Sequence, residues 1–330
     1  MKINDDIYGE EEISEQVLID LINCDSIQRL KNVSQFGIPK EYYHKKFDYT
    51  RYEHTIGVFI LLRKLGATLE EQIAGLLHDI SHTAFSHVID WVLGDSKKED
   101  YQDNVFFEFL KNSEIPSILK KYQIDENIFS NLKNFTLLEK EIPSLCADRI
   151  DYTLRELFKE GSQITKKIFF DLVVKDNQIV FKNKDNAEIF AKEYLQLQTQ
   201  HWAGDQAKAR YFILSNLLKH SMNKKIISLT DLYSSEKFIL NKLENSDDNF
   251  ILENLGLLKN GFEVLESSDG IELKKKFRYV NPEIFLGEKI YLLSDLSSNY
   301  SSLIKIHIGN ESSFKKIKII SLKNEHTRIF

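Results

Sequence analysis

The sequence is poor in the residues that interrupt or staple a fold. Four prolines and thirteen glycines are spread over 330 residues, which favours helices over a loop-rich architecture. The two cysteines, Cys24 and Cys146, are far apart and form no paired framework; this excludes a disulfide scaffold and points to a reducing cytoplasm. No apolar run approaches the roughly 20 residues of a membrane span. The acidic N-terminus MKINDDIYGEEEIS lacks the apolar core of a signal peptide. A net charge of −6 and a pI near 5.9 exclude a general polyanion binder, although a local basic groove stays open. There is no low-complexity tract and no internal repeat.

What is present is ordinary for a globular chain: 42% hydrophobic and 28% charged residues, with enough length for one large core or two modest ones. Residues 13–34 carry apolar positions at helical spacing, as two short helices. A helix is expected over 51–66, ending at Gly66, and another over 69–80, with Thr68 as N-cap and Glu71 three residues on. Further helices are expected at 84–93, 101–112 and 144–160. Two β-rich runs in 167–183 flank Asp176-Asn177-Gln178, a hairpin signal. Helix returns over 186–222 and around 235–258. From about 262 the stretches GFEVLESSDGIELKKKFRYV, KIYLLSDL, LIKIHIG and KKIKIISL read as strands. The expectation is a mainly α protein: a helical core over 1–160, a mixed part over 161–261 completing a pocket, and a β-rich C-terminal module over 262–330.

Histidine is scarce but clustered: five of the nine lie between His44 and His87. His78-Asp79 closes a predicted buried helix, and an imidazole beside a carboxylate suits Mn, Fe, Zn, Ni or Mg. Alone, the pair is no more than a histidine at a helix C-terminus. His54, in RYEHTIG, lies on the preceding predicted helix. Much later, Asp148, Asp151, Tyr152 and Arg155 fall on one face of a predicted helix whose other stripe is apolar. Alone, that face reads as solvated, with an Asp151–Arg155 surface pair.

The ordered set His54, His78-Asp79 and Asp148 resembles the four metal ligands of the HD superfamily of metal-dependent phosphohydrolases. LIDLINCDSIQRLKNVSQFG, RYEHTIGV, IAGLLHDISHTAFSHVID and ADRIDYTLRE resemble its deoxynucleoside triphosphate triphosphohydrolase branch. The likeness is close over 1–95 and 144–157, thins over 158–270 and returns at KKKFRYVNPEIF. It implies an HD-domain helical bundle with a small mixed α/β C-terminal part, in which His54, His78, Asp79 and Asp148 hold a divalent metal ion. It further implies that Arg51 and Arg149 reach phosphates, that Gln35 and Glu156 hold the sugar 3′-hydroxyl, and that Tyr152 packs on the sugar. His87, backed by Asp90, would be the general acid, and His82 would line the same pocket. The nucleotide substrate implied is a dNTP, cleaved to deoxynucleoside and triphosphate by a homo-oligomer.

Three departures from the family stand out. Ser81 and Thr83 replace glycines, and a left-handed backbone there would cost roughly 1–2 kcal/mol, so the loop is expected to differ. The family histidine at the start of the next helix is absent from DYQDNVFFEFL, with Asp103 as a candidate replacement. The late-helix Arg, His and Tyr correspond to Trp202, Gln206 and Arg210, leaving Arg210 and Lys208 as phosphate contacts. Two alternatives stay open. One is a phosphohydrolase or phosphodiesterase acting on nucleoside monophosphates, cyclic nucleotides or another phosphoester. The other is a catalytically impaired nucleotide or nucleic-acid-binding sensor, suggested by the missing histidine and by Lys274, Lys275, Lys276, Arg278, Lys315, Lys316 and Lys318. These basic residues are read preferentially as the solvated edge of a sheet, so nucleic acid is not the favoured partner.

Overall fold

A computed structural model of the chain describes residues 1–43, 47–274, 276–311 and 316–322. His44, Lys275 and Lys315 lie outside the described residues. The body is helical, and among the described residues no parallel sheet crosses 1–160. No helix among the described residues is long and apolar enough to cross a membrane.

Local chemistry explains the helices that carry the site. Thr50 caps the helix Arg51–Lys64 in a reciprocal capping box with Glu53. Gly66, at φ +79°, follows its C-terminal end. The next helix, Leu69–Leu77, is capped by Thr68. The Glu71 carboxylate does not return to that cap; it accepts the backbone N–H groups of Leu137 and Leu138 at 2.7 and 3.2 Å. This helix stops at Leu77, so His78 is its C-cap and Asp79 lies in the following turn rather than on the helix. The helix Ala147–Lys159 packs against Arg51–Lys64 through Gly57. A Cβ there would lie 1.9 Å from Arg155 Nη2, so only glycine permits this approach.

Several expected elements are shortened or changed. The helix expected over 84–93 is only Val88–Val92, because Phe85 and Ser86 take left-handed φ values of 65° and 45° and break the α-helical path. Positive φ thus falls at these two residues and not at Ser81 or Thr83. The first part of the expected hairpin region is the helix Thr165–Asp171. The hairpin is Leu172–Lys175 with Gln178–Phe181, turned by Asp176 and Asn177 at φ 49° and 57°. The long helix expected over 186–222 is divided into Lys184–Leu197, a π-helical turn Gln198–Trp202, and Asp205–Asn223. The stretch LIKIHIG lies in the helix Ser298–Glu311, not in a strand. Tyr300 and Ile304, four residues apart, both reach the core, and that burial outweighs the β-branched composition.

A four-stranded sheet joins the middle of the chain to its C-terminal part. Its order is Leu172–Lys175, Gln178–Phe181, Glu283–Leu286, Lys289–Leu292; the central pair is parallel with Phe181 opposite Ile284. Separate antiparallel pairs are Lys2–Asp5 with Gly9–Glu12, and Phe262–Glu272 with Lys316–Ser321. One apolar core draws side chains from Ile7 to Ile304. A second gathers Phe85, Val88 and Ile89 with the Asp205–Asn223 helix and the strand pair that includes Ile317 and Ile319.

Candidate metal centre and catalytic cavity

Two imidazoles face each other at the centre of the helical body. His54 Nε2 and His78 Nε2 are 3.2 Å apart. Asp148 Oδ1 stands 3.0 Å from the first and 3.7 Å from the second. Asp79 flanks both, with Oδ1 3.6 Å from His78 Nε2 and Oδ2 3.9 Å from His54 Nε2. Donors held about 2.0–2.2 Å from one ion lie about 3–3.6 Å from each other, so His54, His78 and Asp148 suit a shared divalent cation, while Asp79, tied to Arg51 at 2.7 Å, stands at the edge of that group. The other ring nitrogens are engaged outward. His54 Nδ1 meets Asp151 Oδ2 at 2.7 Å, and His78 Nδ1 meets the Gly75 carbonyl at 2.8 Å. A Nδ1 proton donated to each acceptor directs both Nε2 lone pairs inward, the tautomer that metal ligation needs.

Electrostatics lead to the same place. Burial works against a charged His54, yet its bonds to Asp148 and Asp151 push its pKa up to about 9. Burial likewise opposes ionised Asp79, but Arg51 and the His78 and His82 rings hold its pKa well below the usual carboxylate range. The centre therefore retains its carboxylates in the charged form and favours one positive charge among them, a proton or a metal ion. Asp151 is fully buried and fixed by both Nε and Nη2 of Arg155, which also reaches Asp5. The face that taken alone reads as solvated is thus turned inward, with Asp151 and Arg155 buried and Asp148 and Tyr152 on the cavity wall.

A cavity of about 480 Å³ opens beside this centre, lined by His78, Asp79 and Asp148. Of the other sequence-derived candidates, Gln35, Arg51, His82, His87, Asp103, Arg149 and Tyr152 share that lining. Arg51 donates to Asp79 Oδ2 and to Ser86 Oγ, each at 2.7 Å. His82 is buried; burial and Arg51 depress its pKa well below the ordinary value, and it stands 3.3 Å from Asp79 Oδ1 but out of line for a hydrogen bond. His87 Nδ1 lies 3.2 Å from Asp90 Oδ2, and the other Asp90 oxygen accepts the Tyr101 N–H at 2.9 Å. Asp103 faces the same cavity; burial raises its pKa, and the charge of His87 opposes the rise.

Three candidates are placed elsewhere. Glu156 does not line the cavity: it is fully buried, accepting Trp202 Nε1 at 2.5 Å and pairing with His201 Nδ1. A sugar hydroxyl would have to displace these partners. Arg210 also lies outside the lining. Its guanidinium donates to Gln206 Oε1 and the Tyr42 carbonyl and stacks between the Tyr43 and Phe262 rings. Lys208, the other expected phosphate contact, is 3.8 Å from Asp205 Oδ1 and also off the lining. By contrast, the buried side-chain carbonyl oxygens of Gln35 and Gln198 have no hydrogen-bond partner among the described residues, leaving two acceptors at the cavity for a ligand.

Sequence reasoning missed Glu139, Lys276 and Arg278. Glu139 lines the cavity and accepts from Arg149 Nη2 at 3.2 Å; burial raises its pKa to about 7. Lys276 and Arg278, read as part of a solvated sheet edge, line the cavity instead. The available signal was the returning likeness at KKKFRYVNPEIF. Lys318 is on the outer strand pair, but its side chain is largely covered and pairs with Asp269 at 2.5 Å rather than standing in water.

Known proteins resemble this chain in sequence and in fold. The HD domain family matches residues 51–156, the span from Arg51 to Glu156. The chain is 37% identical over 324 residues to the uncharacterized protein YdhJ of Bacillus subtilis, covering 96% of this chain and 97% of that protein. It is 43% identical over 159 residues to the metal-dependent phosphohydrolase cns2 of Cordyceps militaris, covering 48% and 46% of the two chains. A deoxynucleoside triphosphate triphosphohydrolase SAMHD1 homolog of Dictyostelium discoideum is 35% identical over 119 residues, 31% of this chain and 23% of that protein. The fold superposes on a solved phosphohydrolase from Bacteroides thetaiotaomicron with a TM-score of 0.72, at 19% identity, covering 97% and 99% of the two chains.

Proposed function

We propose that this protein, which belongs to the HD-domain family of metal-dependent phosphohydrolases, hydrolyses dNTPs to deoxynucleoside and triphosphate. The observation that carries the proposal is the facing pair of Nε2 atoms, 3.2 Å apart with both Nδ1 atoms engaged outward, beside a cavity lined by His78, Arg149, Arg278 and Lys276. His54, His78, Asp79 and Asp148 would hold the divalent metal. Bound there, it supplies a Lewis acid for a phosphoryl oxygen and a template for water.

The remaining roles belong to side chains. His87 delivers a proton from its ring to the leaving 5′-oxygen, with Asp90 fixing the ring through Nδ1. Arg149 contacts the phosphates, and Arg51 orients Asp79 while bordering the same space. Gln35 Oε1 accepts the sugar 3′-hydroxyl, and Tyr152, held by its bond to Tyr194, packs on the sugar. Residues 1–160 carry the chemistry, residues 161–261 and the C-terminal segment complete the pocket, and the working form is a cytoplasmic homo-oligomer. The 35% identity to a SAMHD1 homolog over part of the chain supports the dNTP reading.

A second reading is a substrate with a single phosphate. It is favoured by Glu99 and Glu139, which already pair with Arg278 and Arg149 and reduce the positive charge offered to a polyphosphate. A scan of nucleotides with Mn²⁺-loaded protein and product analysis decides between them. Intact triphosphate supports the first reading; orthophosphate from monophosphates alone replaces it with the second.

A further inference from the structure

Three basic groups of the cavity wall stand close enough to repel one another: Arg149, Lys276 and Arg278. Two are already paired. Arg149 Nη2 donates to Glu139 at 3.2 Å, and Arg278 Nη1 donates to Glu99 at 2.7 Å. The Lys276 ammonium makes no hydrogen bond and no ion pair with any described residue, although Asp103 and Glu99 lie within electrostatic reach. It is half-buried, so water satisfies it only in part.

The backbone around it is held in place. The Lys276 carbonyl accepts Gln198 Nε2 from the π-helical turn at 3.2 Å, and Arg278, two residues on, is anchored to buried Glu99. An ammonium on a fixed segment, beside two guanidinium groups, facing a cavity, with Glu99, Asp103 and Glu141 near but no direct ion pair among the described residues, is an arrangement that an incoming oxyanion completes.

We propose that Lys276 is a substrate-binding residue that contacts the phosphate groups of the ligand, so that the C-terminal segment and not the late helix at Arg210 supplies this cation. The inference rests on the phosphohydrolase reading of the cavity. It also explains why Arg210 can be committed to the Tyr43 and Phe262 rings without leaving the phosphates unmatched. The contact forms in ground and transition states alike, so it acts mainly on binding.

The test compares wild type with Lys276→Met and Lys276→Arg, each loaded with Mn²⁺. Equilibrium binding of inorganic triphosphate and of deoxyguanosine is measured at fixed free Mn²⁺, alongside steady-state kinetics with dNTPs. The expected result for Lys276→Met is triphosphate binding weakened tenfold or more and KM raised similarly, with deoxyguanosine binding unchanged; Lys276→Arg recovers most of the loss. Unchanged triphosphate binding in Lys276→Met overturns the inference, as does an equal loss of deoxyguanosine binding, which marks a general disturbance of the cavity. Product analysis on wild type tests the underlying reading separately: dNTP hydrolysis with no effect of Lys276→Met removes only the role of Lys276.

Discussion

Gly57 and Asp151 occupy space that a side chain at residue 57 would require. A Cβ there would lie 2.1 Å from Asp151 Oδ1, and the other oxygen of that carboxylate holds His54 Nδ1 at 2.7 Å. The absence of one methyl group thus lets two helices approach closely enough for a buried carboxylate to orient a buried imidazole.

Gly57→Ala is expected to separate those helices. Overpacking of this kind typically costs about 1–3 kcal/mol, and here the contact falls on a buried ion-pair network, so the upper end is expected. Urea denaturation reads the stability loss. Metal content of the folded protein should fall with it, because His54 loses its orientation; full metal content in Gly57→Ala would refute the coupling.

Asp79→Ala and His54→Ala are expected to abolish metal binding and activity while helical content by circular dichroism stays near wild type. Chelation of the wild-type protein should lower its thermal midpoint, since an ion that binds only the folded state stabilises it by mass action. Stoichiometric metal in either variant would exclude the four-residue centre.

His87→Ala is expected to lower kcat by roughly 10²–10⁴ with metal content preserved. Asp90→Asn should cost less, because the ring remains while its orientation is disturbed. If His87 only supports the fold, thermal stability falls and kcat per folded molecule does not change; measuring both on one sample separates the outcomes.

Glu236 makes stability depend on pH. It is buried, accepts the Ser34 and Phe85 N–H groups, and burial raises its pKa to about 8 from an ordinary 4.5. Between those values the folded protein keeps a proton that the unfolded chain has lost. Stability therefore falls as pH rises through this window, at up to about 1.4 kcal/mol per pH unit. Glu236→Gln should flatten that part of the profile while retaining the acceptor oxygen. An unchanged slope in urea titrations from pH 5 to 8 would show that another group carries it.

The helices Arg51–Lys64, Leu69–Leu77, Tyr101–Lys111 and Ala147–Lys159 were legible from caps, apolar spacing and the scarcity of proline and glycine, all local properties. The ordered histidines and aspartates were legible for the same reason: residue type and order survive without coordinates. The family resemblance at RYEHTIGV, HDISH and ADRIDYTLRE added the expected roles.

Tertiary structure decided the rest. Residues 51, 87, 139 and 278 are brought to one cavity by folding, and no periodicity links Arg278 to Glu99 across the chain. The helix Ser298–Glu311 defeats its strand-like composition because Tyr300 and Ile304 are buried four residues apart. The placement of Arg210 between two rings, and of Glu156 beneath Trp202, depends on which neighbours reach them first. Sequence determines what each segment can form and which chemical groups it carries. Packing selects which of those groups lose water together, and that shared burial turns dispersed histidines, carboxylates and basic residues into one site.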